Sequence, residues 1–492
     1  MASLSKHAWQ TLALLLTVGL SWSCGRETGD DPSQATQTAA NTAGTGLTTQ
    51  PGQGTAGVEA KPDPSSSPAP AGNTASGAGR GSNSAMAGST SASGSGRTEA
   101  GSGSLGAAGM RALPSPIPAG AGGAGASADA GGPAMPAADG GMAPLVPGYL
   151  HTQGARLLDA QNRPVRLAGV SWFGMETQNY APYGLANRSL GSMLDQIKSL
   201  GFNVIRLPFC NQLFDPGSKP SIGGTQNAEL AGLDGLQLLD KIVQAAGQRG
   251  LKIILDRHRP DSGAQSELWY TSRYSEQRWL DDWRMLATRY KTDATVIAAD
   301  LHNEPRGMAS WGDGNAATDW QLAAERAGNA IHEINPNWLI IVEGIEKVGS
   351  DFYWWGGNLI AAGPHPVTLK VPNRVVYSTH DYPASLYAQS WFTAADYPSN
   401  LPGVWSRYFG YLAEQDIAPV FVGEFGTKLQ TESDKQWLRA LVSYIGEHQL
   451  NWSFWCFNPN SDDTGGILQD DWMSVNQNKL TELKPILAPL IE

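Results

Sequence analysis

From about residue 165 onward the chain repeats one pattern. A short run that is apolar almost throughout gives way to a stretch with apolar residues every third or fourth position, and then another apolar run begins. The continuous runs predict strands over 165–171, 202–209, 251–256, 296–302, 339–342, 375–379, 419–422 and 452–457. The periodic stretches predict helices over 189–200, 236–246, 276–290, 320–334, 404–414, 435–447 and 481–491. In the first helix Met193, Leu194, Ile197 and Leu200 share a face. Residues 149–164, with Asp159, Asn162 and Pro164, read as a short hairpin or cap ahead of the first strand. Strands without polar alternation, covered by one-sided helices, mean a parallel sheet buried on both faces. Eight such units in about 350 residues predict an α/β fold, a (β/α)8 TIM barrel. An open, doubly wound sheet is the alternative. What favours the barrel is that polar and aromatic residues collect at the C-terminal ends of most strands. In a barrel those ends converge on one pocket.

Two of those ends carry glutamate. Asp300-Leu301-His302-Asn303-Glu304-Pro305 closes the fourth strand, and Val422-Gly423-Glu424-Phe425-Gly426 closes the seventh. Paired carboxylates flanking one pocket are the requirement of glycoside hydrolysis. Glu304 is the expected general acid and later base, with a raised pKa caused by the charge on Glu424; Glu424 is the expected nucleophile. Gly423 and Gly426 are read as leaving room for a sugar. Asn303 is placed to donate to the sugar 2-hydroxyl. Arg206, a charge inside an apolar strand, needs a buried partner and is expected to orient Glu424. His258 and His380 are expected to bond sugar or carboxylates, and Tyr382 to hold the nucleophile. His302 falls on the opposite side of its strand from Asn303. Glu343 is a third carboxylate, read as a hydrogen-bonding or ion-pair partner. Trp172, Trp269, Tyr270, Trp354, Trp355 and Trp455 are assigned to the rim, where flat rings suit the C–H face of a pyranose. The histidines also admit a metal-dependent hydrolase, but no His-x-His pair supports it, and neither metal nor cofactor is expected.

Composition then divides the chain of 492 residues. Residues 1–24 have Lys6 and His7, an apolar stretch over 11–20 and then small and polar residues up to Cys24, the layout of a signal peptide. Cys24 stands where a lipoprotein signal places its lipidated cysteine, so a lipid anchor and plain secretion are both open. Residues 25–146 are Gly, Ala, Ser, Thr and Pro with almost no large apolar side chains, and read as a disordered linker. Residues 147–492 hold the barrel and 15 of the 17 tryptophans. The formal charge of −11 argues against nucleic acid as a partner and leaves a neutral polymer gripped by aromatic rings, with the protein a monomer. Cys210 and Cys456 are able to pair, or to remain small buried thiols.

The folded part resembles the catalytic domain of glycoside hydrolase family 5, above all its bacterial endo-β-1,4-glucanases. The likeness runs through nearly all of 147–492. It includes Leu255-Asp256-Arg257-His258-Arg259-Pro260-Asp261, Leu301-His302-Asn303-Glu304-Pro305, Val422-Gly423-Glu424-Phe425-Gly426-Thr427 and Asp463-Thr464-Gly465-Gly466-Ile467-Leu468. The resemblance implies a retaining mechanism with Glu304 as acid/base and Glu424 as nucleophile. It places Arg206, His258, Asn303, His380, Tyr382 and Trp455 at the remaining active-site positions. Gln178 and Ser262 stand where close relatives are expected to carry cysteines, so that disulfide is not implied here. A mannanase, xylanase or exo-glucanase would use the same barrel, and a surface carbohydrate-binding protein with a decayed site is the alternative from another class.

Overall fold

The computed structural model describes residues 145–492; the leader and the linker expected over 1–144 lie outside the described residues. The eight barrel strands are β1 (Ala168–Ser171), β2 (Val204–Cys210), β3 (Lys252–Arg259), β4 (Val296–Asp300), β5 (Leu339–Glu343), β6 (Val375–His380), β7 (Val420–Phe425) and β8 (Asn451–Phe454). Each pairs in parallel with its neighbours and β8 pairs with β1, which closes the barrel and removes the open-sheet alternative. The helices are α1 (Leu190–Ser199), α2 (Gly235–Gly247), α3 (Glu276–Arg289), α4 (Trp320–His332), α5 (401–414), α6 (Glu432–Glu447) and α7 (Gln477–Leu483). No helix joins β5 to β6; a two-stranded ribbon, Lys347–Val348 with Asp351–Phe352, stands in that connection.

Most helix starts follow from local chemistry. Ser189, Ser275, Asp319, Thr431 and Asn476 each accept a bond from a backbone N–H of the first turn, and Asp234 forms a reciprocal capping pair with Gln237. α1 buries Leu190, Met193, Leu194 and Ile197, close to the predicted face; Leu200 is its cap. The closing helix differs from expectation. It begins at Gln477 and gives way to a 3-10 turn at Lys484–Ile486, because Pro485 cannot supply the next backbone donor. α5 contains a π-helical turn at Ser406–Gly410 that periodicity alone does not reveal. The first strand is also shorter than predicted. Pro164–Val165 belongs instead to a small antiparallel sheet with Leu150–Gln153 and Arg156–Asp159.

That small sheet places Leu150 and Leu157 against Val204, Ile254, Ala298, Ile341 and Val376 in one apolar cluster. Side chains alternate across each strand, so the residues two positions further on occupy the same side. They are Arg206, Asp256, Asp300, Glu343 and Ser378. The barrel interior is thus apolar at the N-terminal end and turns polar in a single layer near the C-terminal end. All five of these polar residues are fully buried.

Candidate active site

The site is built upward from that polar layer. Arg206 is its centre. Its Nη1 donates to Glu424 Oε1 at 2.6 Å, its Nε to Asp300 Oδ2 at 2.9 Å, and its Nη2 to Asn303 Oδ1 at 2.8 Å and Glu343 Oε1 at 3.0 Å. Asp256 Oδ2 is 3.1 Å from Nη1. The charge inside the apolar strand is therefore paired, and one of its partners is the strand-end glutamate of β7. Glu424 is also bonded through Oε2, which accepts from the Tyr382 hydroxyl at 2.7 Å. Burial and the Glu424 charge push the Tyr382 phenol well above its ordinary pKa, so it stays a donor.

Glu304 sits across the pocket. Its backbone is left-handed, with φ of +53°, and its N–H donates to Glu343 Oε2 at 2.7 Å. Gly356 packs against it: a Cβ there would collide with Glu343 and with the Glu304 Cα. Glu343 thus links the backbone of one glutamate to the arginine that holds the other. His380 stands between them, with Nδ1 at 3.1 Å from Glu304 Oε1 and 3.6 Å from Glu424 Oε2, and Nε2 at 3.3 Å from Glu343. One carboxylate oxygen of Glu304 lies within 4.8 Å of one of Glu424.

The protonation pattern differs from the sequence expectation for Glu304. Burial alone would push its carboxyl up, but the hydrogen bond and charge of His380, with Arg306 behind it, hold it below the usual value. Burial opposes charge on His380 too, yet Glu343, Glu424 and Glu304 surround it and raise it well above an ordinary histidine. Both directions favour a proton on His380, one hydrogen bond from Glu304. His258 goes the other way: burial lowers it to about 3. It is neutral, its Nδ1–H donates to Asp256 Oδ2 at 2.7 Å, and its ring stacks on Trp455 with centroids 5.3 Å apart. Trp455 is partly exposed and also stacks on Phe173. Asn303 Nδ2 is buried with no partner among the described residues, a donor left unsatisfied by the protein.

Two of the tryptophans assigned to the rim are elsewhere. Trp172 follows β1 on the side facing the helices; it is fully buried, its Nε1 donates to Tyr183 O and its edge meets Phe457. Trp269 is fully buried against Trp279 of α3 and Trp320 of α4. Neither has a face to offer a sugar. Trp355 and Trp354 occupy the rim beside Gly356. Trp355 is 46% exposed, with the Arg306 guanidinium 4.2 Å from its ring centroid and its Nε1 donating to Glu346. Trp354 is partly buried edge-on to Tyr382. Gly423 and Gly426 do not leave room for ligand. A Cβ on Gly423 would meet Ser378 and His380, and one on Gly426 would meet the Trp455 carbonyl. His302 lies away from Glu304, bonded to Arg257 Nη1 at 2.8 Å and edge-on to Trp320. Cys210 and Cys456 are free buried thiols. Ser262 is tied by hydrogen bonds to Tyr180 and Gln212.

Sequence reasoning did not single out Asp256 and Asp300 as parts of the site, because each was read as the polar end of a strand. The signal was the same as for Arg206: a charge in register with lumen positions. Three sets of groups come close enough to share a cation: Asp256, His258 and Glu424; Glu304, His380 and Glu424; and Asp256, Asp300 and Glu343. The Arg206 guanidinium contacts members of all three, so a fixed positive charge already occupies their midst.

Glu176, in the loop after β1, was also missed. Its carboxyl is buried, accepts from the Gly174 N–H at 2.7 Å, and is raised to about 7 by burial. A raised folded-state pKa gives stability that is fully present below the unfolded value and is lost as pH rises through the folded one. Glu176→Gln is therefore expected to raise Tm at pH above about 8 by the equivalent of at most about 3 kcal/mol, and to leave it unchanged near pH 4. Thermal melts of both proteins across that range measure it; a gain that does not depend on pH would contradict the assignment.

The family model described as cellulase (glycosyl hydrolase family 5) matches residues 158–461. An endoglucanase of Paenibacillus polymyxa is 54% identical over 355 residues, covering 71% of this chain and 89% of that protein. The major extracellular endoglucanase of Xanthomonas campestris pv. campestris is 42% identical over 346 residues, covering 69% and 71%. Its solved catalytic domain superposes with a TM-score of 0.66 over 69% of this chain and 99% of that one. An endocellulase from Pyrococcus horikoshii, solved in complex with cellotetraose, is 39% identical with a TM-score of 0.64, covering 69% and 99%.

Proposed function

The chain belongs to glycoside hydrolase family 5, and from that premise we propose that it is an endo-β-1,4-glucanase that cuts internal bonds of cellulose or a related β-glucan with retention of configuration. Relatives at 54% and 42% identity are endoglucanases. The observation that carries the stereochemical reading is the separation of the two glutamates. Their nearest oxygens, within 4.8 Å of each other, accord with the retaining spacing of about 5–5.5 Å between carboxyl groups better than with the inverting spacing of about 6.5–9.5 Å.

In the first step Glu424 forms a bond to the anomeric carbon as the bond to the leaving oxygen breaks, and Glu304 gives that oxygen a proton. In the second, Glu304 takes a proton from water, whose oxygen replaces Glu424 at the same carbon. Arg206 and Tyr382 hold one oxygen each of Glu424 and keep it aimed. His380 supplies the proton that Glu304 passes on. The free Nδ2–H of Asn303 is the donor for the 2-hydroxyl, a contact that strengthens as charge develops on the sugar ring. Trp455 fixes one wall, and Trp355 offers an exposed ring on the Glu304 side, where the leaving chain would lie.

Export accords with the leader over 1–24 and with the extracellular relative; a lipid on Cys24 would hold the barrel at the end of the 25–146 linker. Incubation with a soluble β-1,4-glucan, a mannan and a xylan tests the activity. A fast fall in viscosity, with few reducing ends, is expected on the glucan alone. Activity confined to mannan or xylan would overturn the substrate, and one uniform short product would overturn the internal mode of attack.

A further inference from the structure

Four carboxylates surround one guanidinium. Arg206 contacts Asp256, Asp300, Glu343 and Glu424 at 3.1, 2.9, 3.0 and 2.6 Å. Asp256, Asp300 and Glu343 are fully buried, and one oxygen of each lies within 4.8 Å of those of the other two. A single positive charge does not balance four negative ones away from water, even with His380 added beside Glu343, so the cluster must retain a proton on an acid.

The donors to each carboxylate show where it sits. Glu424 accepts from Arg206 and Tyr382. Glu343 accepts from Arg206 on one oxygen and from the Glu304 N–H on the other, with His380 nearby. Asp256 Oδ2 accepts from the His258 Nδ1–H at 2.7 Å and lies beside Arg206 Nη1. Asp300 has a single donor, Arg206 Nε, and its Oδ1 is buried with no partner among the described residues. We propose that Asp300 is protonated and neutral throughout the working pH range, and that it is a positioning residue: it fixes Arg206 through Nε without drawing on its charge, leaving Nη1 to Glu424.

The carboxyl that faces Asp300 across the β3–β4 ladder is its register partner Asp256, whose Oδ1 is also unpaired among the described residues. Burial, then the charges of Glu343 and Asp256, push the Asp300 carboxyl far above the usual range against the pull of Arg206. Asp256 is pushed the same way by its burial; the His258 N–H on its Oδ2 and the Arg206 guanidinium charge beside that oxygen favour its ionised form and leave the proton to Asp300. The role of Asp300 rests on Glu424 being the nucleophile, but the location of the proton does not.

Infrared difference spectra separate the two. At a pH of about 8.5, where Glu176 and Asp381, both raised to about 7, are ionised, wild-type protein is expected to show the carbonyl band of a buried protonated carboxyl. Asp300→Asn is expected to lose it. Absence of the band in wild type, or its loss in Asp256→Asn alone, would overturn the proposal. The kinetic readout is the acid limb of kcat/KM, which reports ionisation of the nucleophile. If Asp300 is neutral, Asp300→Asn conserves charge and the limb stays within about 0.3 pH unit of wild type. If Asp300 is ionised, the substitution removes a negative charge beside Arg206 and the limb moves down by about one unit or more, which would refute the assignment. Asp300→Leu, which leaves Nε unpaired, is expected to lower kcat about 10- to 100-fold with little change in KM; a change confined to KM would argue against positioning.

Discussion

Replacing Glu424 with alanine is expected to cut kcat on a soluble β-1,4-glucan by about five orders of magnitude while leaving glucan affinity within about threefold. The loss is large because no other group can take over the bond to the anomeric carbon. Arg206 has no lone pair to offer, Tyr382 is held as a phenol, and the oxygens of Glu343 are occupied by the Arg206 guanidinium and the Glu304 N–H. The binding surfaces, Trp455, Trp355 and Asn303, do not depend on Glu424 for their own contacts. Truncation also leaves a small space lined by Arg206 and Tyr382, both donors. Azide admitted there should restore turnover of a substrate with a good leaving group, and the product should be a glycosyl azide of inverted configuration. Recovery with retained configuration, or a variant that turns over normally, would assign the nucleophile elsewhere.

Glu304→Ala comes next in size. Its kcat on glucan is expected to fall about 10³- to 10⁴-fold, since positioned proton transfer to an alkoxide leaving group is worth about that much. A nitrophenyl glycoside needs little protonation to depart, so its first step should survive. It should show a burst of nitrophenol followed by slow release of sugar, because the second step still needs a base for water. Equal losses on both substrates, with no burst, would remove Glu304 from the acid role. His380→Asn should act in the same direction but less strongly, because it removes the stored proton and not the carboxylate that delivers it.

How much of this was readable from the chain depends on the kind of information each residue carries. The strands were visible because burial on both faces leaves them almost wholly apolar, and the barrel was favoured by their number and by the polar residues gathered at their C-terminal ends. Arg206 stood out because a charge inside such a run has few explanations. Glu304 and Glu424 stood out by their position at strand ends. Trp172 and Trp269 show the limit of the same reasoning. A sequence says that an aromatic residue follows a strand, but not whether its ring turns toward the pocket or toward the helices, and here neighbouring rings from α3 and α4 take Trp269 inward. The pKa direction of Glu304 was misjudged for a similar reason. The charge of Glu424 was counted, but His380, 76 residues away in sequence, could not be placed between the two carboxylates. Asp256 and Asp300 were seen as boundaries because a strand end is polar whatever its role.

The left-handed backbone at Glu304 has a bearing on any attempt to make this protein more durable. An L-residue with a long side chain is held at φ of +53° by the bond to Glu343 and by the close approach of Gly356, at a cost of about 1 kcal/mol or more. Glycine would adopt that backbone without the cost. A selection that rewards heat tolerance alone would therefore favour discarding the very side chain proposed as the acid and base. Durability and turnover compete at this one position, and libraries screened for survival should hold Glu304, Glu343 and Gly356 fixed as a unit.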